Sequence, residues 1–163
     1  LFLVGLSAEA WALDGYRDRK GVLYGLSLGG GSNQSSADGA ESSLGFNLRA
    51  RAGGGIQQNL TLDAEFGIHS SSDANIDIFT LALGARYFLH EGLYVNTGGG
   101  LSQMSGTSGS DVSETGLMAV LGLGYEFFAS SDLAVSVGAD FQHQIYDDNN
   151  LNLLGINVSM TWY

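Results

Sequence analysis

An alternation of apolar residues with polar residues or glycine recurs eight times between Val22 and Trp162, and it dominates what this chain can fold into. A period of two belongs to the β-strand, whose successive side chains leave opposite faces; a helix would repeat every three or four residues. The apolar stripes are Val22, Tyr24, Leu26 and Leu28; Leu44, Phe46, Leu48, Ala50 and Ala52; Leu60, Leu62, Ala64, Phe66 and Ile68; and Phe79, Leu81, Leu83, Ala85 and Tyr87. The second half continues with Leu93, Val95, Thr97, Gly99 and Leu101; Leu117, Ala119, Leu121, Leu123, Tyr125 and Phe127; Leu133, Val135, Val137, Ala139 and Phe141; and Leu154, Ile156, Val158, Met160 and Trp162. None of these positions is charged. The chain contains no Pro, so nothing removes a ladder donor from any segment.

The connections alternate in length. Ser32–Ser42, Ser70–Asn75, Gln103–Glu114 and Asp147–Asn150 read as polar loops, whereas Gly53–Gln58, His90–Gly92 and Ala129–Asp132 read as tight turns. Long and short connections therefore fall on opposite rims of an antiparallel sheet. Segments of about ten residues match the 9–11 that a tilted strand needs to cross hydrocarbon. The expectation is an all-β, eight-stranded, up-and-down transmembrane barrel of the bacterial outer membrane.

Alternation by itself also fits a soluble barrel whose apolar face lines a ligand cavity. The other face decides. It reads Gly25, Ser27, Gly29; Gly45, Asn47, Arg49, Arg51; Asp63, Glu65, Gly67, His69; Thr80, Ala82, Gly84, Arg86; Tyr94, Asn96, Gly98, Gly100; Gly122, Gly124, Glu126; Ser136, Gly138, Asp140, Gln142; and Gly155, Asn157, Ser159, Thr161. Glycine on a water-washed strand weakens it without compensation. In a narrow interior it makes room for Arg, Glu and Tyr. The apolar face is therefore assigned to lipid and the polar face to the lumen.

Composition narrows the function classes. The net charge of -11, with 6 Lys and Arg against 17 Asp and Glu, opposes nucleic-acid binding. Without cysteine there is no disulfide framework and no thiolate chemistry. Residues 1–12, LFLVGLSAEAWA, read as the end of a secretory signal: Leu1 to Leu6 form an apolar run, and Ala8 with Ala10, or Ala10 with Ala12, supplies a cleavage pattern. The mature barrel is then expected over 13–163, with Arg17, Arg19 and Lys20 in a short lead-in.

The segment LALGARYFLHEGLYVNTGGGL at 81–101, the GLGYEF run at 122–127 and the closing GINVSMTWY resemble the small outer-membrane β-barrel family that includes opacity proteins, porin-family proteins and the OmpA transmembrane domain. The resemblance spans essentially the whole mature chain and implies architecture more than activity. It implies contact with outer-membrane lipid and lipopolysaccharide, assembly by the barrel-assembly machinery, and a monomer. It also implies a terminal aromatic residue in step with Ile156, Val158, Met160 and Trp162. Tyr163 is out of step, so one further aromatic residue is expected after it.

Candidate chemistry sits on the polar face. Arg49, Arg51 and Arg86 with Asp63, Glu65, Glu126 and Asp140 are expected to form a luminal charge network, with Arg49 opposite Asp63 in the second hairpin. Such a network plugs an eight-stranded lumen or, in the alternative, gates small ions. Tyr24, Tyr87, Tyr125, Phe127 and Trp162 are expected as an aromatic girdle near the short turns, with Phe46, Phe79 and Phe141 toward the loops. Barrel enzymes that modify lipid A use an external His and Ser. His69 and Ser71 have that spacing but point inward, while His143 points outward with Ile145 where a hydroxyl is needed, so catalysis is not expected. Asp38, Glu41, Asp73, Asp111, Glu114, Asp147 and Asp148 form an acidic rim without the spacing of a cation loop. The glycine triplets at 29–31, 53–55 and 98–100 precede no helix and are not phosphate loops. No metal, cofactor or nucleic acid is expected.

Overall fold

The computed structural model describes residues 18–35, 42–71, 76–106, 113–147 and 149–163. Among these described residues eight strands follow in order: β1 (Gly21–Ser35), β2 (Ser43–Gln57), β3 (Leu60–Ser71), β4 (Ile76–His90), β5 (Leu93–Gly106), β6 (Ser113–Phe128), β7 (Leu133–Ile145) and β8 (Asn150–Trp162). Each pairs antiparallel with its neighbours in sequence, and β1 pairs with β8 to close a barrel. Closure leaves each of these eight strands with a partner on both sides, so no edge is open among the described residues.

The two faces separate as the alternation demands. Leu83 is 73% exposed and Val137 49%, on the outside, whereas Arg49 retains 8% of its surface in the interior. A barrel that exposes Leu, Val, Ile and Phe along every strand and buries its arginines is inverted relative to a water-soluble one.

The strands are longer than their apolar stripes, with 12 residues in β3 and 16 in β6, against the expected ten or so. Three of the expected connections are shortened. The loops assigned to Ser32–Ser42 and Gln103–Glu114 are partly strand, since β1 runs to Ser35, β5 to Gly106, and β6 starts at Ser113. The turn assigned to Gly53–Gln58 is confined to residues 58–59, because the glycine triplet continues β2 and a register shift lies between Gly55 and Gln57. The glycines are needed there: a Cβ on Gly53 would fall 2.1 Å from the Leu62 carbonyl oxygen. This displaced turn moves the hairpin register. Arg49 faces Gly67 and Asp63 faces Gly53, so the expected Arg49–Asp63 cross-strand pair does not form.

Candidate functional site: the charged lumen

The interior is stacked in tiers. In the middle tier Arg49 of β2 reaches Asp140 of β7, with Nη2 2.7 Å from Oδ2, and Glu65 of β3 at 3.7 Å. Asn157 Nδ2 donates to the same Asp140 oxygen at 2.6 Å. Arg51 lies 3.5 Å from Asp63 and donates through Nη2 to the Thr161 hydroxyl. The charges that the shifted register separates along the ladder thus meet diagonally or across the barrel. Opposite charges in a poorly hydrated interior are retained only when paired and hydrogen bonded.

Glycine makes this possible. A Cβ on Gly25 would lie 2.9 Å from Arg51 Nε, and one on Gly124 would lie 2.4 Å from the Tyr94 hydroxyl. The Arg86 guanidinium stacks over the Tyr94 ring at 4.0 Å, a cation–π contact that fixes the tyrosine across the lumen.

At the short-turn end Glu126, 2% exposed, holds Arg86 at 3.4 Å and Arg19 at 2.9 Å, and accepts from the Tyr163 hydroxyl at 3.0 Å on each carboxylate oxygen. Phe88, Phe128 and Tyr94 surround this cluster, with Phe88 edge-on to Tyr94 and Phe128 tilted against Tyr163. Tyr163 lies just outside β8; burial, then the Glu126 carboxylate, pushes its phenol above the ordinary tyrosine value. Its inward parity makes it a luminal residue. Arg19 and Tyr163 were both outside the expected network. Tyr163 was legible from its parity with Ser159 and Thr161; Arg19 precedes every strand and left no periodic signal.

At the long-loop end the filling changes chemistry. Asp140, Gln142, Gln144 and Tyr146 form a line of side-chain hydrogen bonds ascending β7, with Tyr146 donating to Gln144 at 2.6 Å. Above it Ile78, Tyr146, Leu151 and Leu153, each at most 5% exposed, pack into an apolar cap joined by Ile76 and Met104. The cap was not anticipated, because these residues share the parity of the polar face; Ile76 and Ile78 in step with Thr80 are the signal that marks it. The Arg49–Asp140 tier borders cavities of about 30 and 20 Å³, each the size of one or two waters.

Among the described residues, His69 and Ser71 do not pair with each other. His69 is buried against Gly45, while the Ser71 hydroxyl bonds Ser43 and the Leu44 carbonyl. His143 Nδ1 lies 2.8 Å from Asn152 Oδ1 on the outer face. Among the described residues no three His, Cys, Asp or Glu side chains converge on a metal position. Of the acidic loop residues, Asp38, Glu41, Asp73, Asp111 and Asp148 lie outside the described residues, as does the 1–12 segment.

The model of the outer membrane protein beta-barrel domain matches residues 1–163. The chain belongs to this family. Solved barrels of the same fold include Neisserial surface protein A, with a TM-score of 0.63 and 15% identity over 86% of this chain and 98% of that one. The attachment invasion locus protein Ail of Yersinia pestis gives 0.53 and 16% over 86% and 98%. The N-terminal barrel of Pseudomonas aeruginosa OprF gives 0.54 and 14% over 88% and 98%. No curated protein sequence matches the chain.

Outer-membrane barrels keep their short turns on the periplasmic side, so the rim carrying the turns at 58–59, 91–92 and 129–132 is read as the periplasmic one. The aromatic set then has a location. Tyr24 and Trp162 are direct ladder partners, and Tyr87, Tyr125 and Phe127 lie near the same rim, all facing outward. Phe46, Phe79 and Phe141 are exposed toward the opposite rim.

Proposed function

We propose that this protein is a closed, monomeric outer-membrane barrel that serves the surface through its loops and its lipid-facing wall, and neither conducts ions nor turns over a substrate. The observation that carries this reading is the mutual pairing of Arg49, Arg51 and Arg86 with Asp140, Glu65, Asp63 and Glu126 beneath an apolar cap. Ions would have to break buried pairs and cross a hydrocarbon layer. The two aromatic rims support seating in lipid, with lipopolysaccharide around the outer one. Recognition by the barrel-assembly machinery at the closing β8 alternation belongs to the same reading.

The loops narrow the partner. One Ail structure holds the heparin analogue sucrose octasulfate. Here the long connections carry Asp38, Glu41, Asp73, Asp111, Glu114, Asp147 and Asp148 with no Lys or Arg, so the proposed partner is cationic, or is bridged through divalent cations to lipid phosphates. Purified barrel in planar bilayers is expected to give no conductance steps; reproducible steps would favour the narrow-channel alternative.

A further inference from the structure

The luminal charges of the periplasmic half do not balance on the strands. Asp63, Glu65, Glu126 and Asp140 face Arg49, Arg51 and Arg86, leaving one carboxylate in excess. The fourth cation comes from outside the barrel wall. Arg19 places Nε 2.9 Å from Glu126 Oε1, and its guanidinium carbon lies 3.8 Å above the Phe88 ring and 5.2 Å from the Phe128 ring. Its Nη2 donates to the Glu91 carbonyl at 3.0 Å. The side chain therefore fills a cage of one carboxylate, two aromatic faces and a turn carbonyl.

The backbone around Arg19 is shaped for that insertion. Asp18 accepts from Lys20 N at 2.9 Å and from Gln58 Nε2 at 2.6 Å, and Arg19 N donates to Gln58 Oε1 at 3.3 Å. These contacts staple residues 18–20 to the β2–β3 turn. Gly21 then turns the chain into β1 at φ 104°, a conformation that disfavours any side chain. Gly55 lies beneath the crossing: a Cβ there would fall 1.5 Å from the Arg19 carbonyl oxygen.

We propose that residues 18–20 are a strap that closes the periplasmic mouth by inserting Arg19 as the removable fourth cation of the lumen. Withdrawal of Arg19 uncovers Glu126 and leaves the lumen with an unneutralised carboxylate, so the mouth becomes a receptor for another guanidinium or ammonium group. The strap rests on the closed-lumen reading only in part, since the apolar cap seals the opposite end independently.

The test is trypsin cleavage at the Lys20–Gly21 bond of the folded barrel in vesicles, followed by mass spectrometry, on the wild type, R19Q and G55A. R19Q leaves every strand intact, and G55A displaces the strap without altering any charge. Folding is verified by heat-modifiable gel migration. Proteolysis of a native protein follows the population of the open segment, so both variants are expected to be cut about tenfold faster or more. Equal rates in folded wild type and R19Q would overturn the strap, and so would a folded G55A cut no faster than wild type. Bilayer conductance, measured in parallel, reads the closed-lumen proposal separately: faster cleavage with electrical silence supports both, while conductance of the wild type removes the closed lumen and leaves the cleavage result to decide the strap.

Discussion

Arg49 and Asp140 meet at 2.7 Å across the lumen from β2 and β7, strands that share no ladder. The contact ties opposite walls of the cylinder, and Asn157 and Glu65 complete its shell. Removing one member strands the other in a dry interior. D140A is expected to lower unfolding stability by about 3 kcal/mol, the scale for an orphaned buried charge. The apolar double variant R49M/D140L is expected to recover most of that loss. Urea titrations read by gel migration distinguish the two; a D140A curve that overlays the wild type would contradict the pairing.

The interior glycines should be far less replaceable than those facing lipid. A Cβ at Gly124 meets the Tyr94 hydroxyl at 2.4 Å and the Val137 carbonyl at 2.7 Å, whereas one at Gly30 meets only the Gly45 carbonyl, at 3.4 Å. G124A is therefore expected to cost about 1–3 kcal/mol through overcrowding, and G30A to stay within about 0.5 kcal/mol. Equal effects at the two sites would remove the space-filling role assigned to luminal glycine.

Tyr163 links stability to alkaline pH. Its buried phenol, beside Glu126, holds its proton to higher pH than a free tyrosine. Above about pH 10, the ordinary tyrosine value, the unfolded chain releases that proton while the folded one keeps it. Stability contributed by the neutral phenol is thus present below that pH and declines as pH rises beyond it. Y163F is expected to flatten the decline between pH 10 and 11, and an unchanged slope would show that the phenol does not carry it.

The acidic loops give a binding prediction. With seven carboxylates and no basic residue on the long connections, the folded barrel is expected to pass through a heparin column at physiological salt. Retention that is lost at high salt would contradict the cationic-partner reading.

Strand number, closure and the sense of the two faces were legible because a period of two, repeated eight times, leaves few other folds. Register was not. Gly53–Gly55 has the composition of a turn, and only its fit against Leu62 and Asp63 makes it strand. The members of the charge set share the inward parity, but their partners were not legible, since Arg49 finds Asp140 around the curve of the barrel and not along a hairpin. The cap of Ile78, Leu151 and Leu153 was hidden by the same parity rule that identified the lumen. Arg19 was hidden because a residue ahead of the first strand has no periodicity to report.

The barrel's place in the membrane depends above all on the apolar stripe meeting acyl chains. Leu83, midway along β4 and beside Ala64 and Gly99 on the adjoining strands, has room for an indole. With Trp162, the tryptophan within 13–163, replaced by phenylalanine, L83W in vesicles of acyl-brominated phospholipid is expected to emit at short wavelength and to be quenched most strongly by bromines near the bilayer centre. Emission at the wavelength of hydrated indole, unaffected by bromine at any depth, would contradict it.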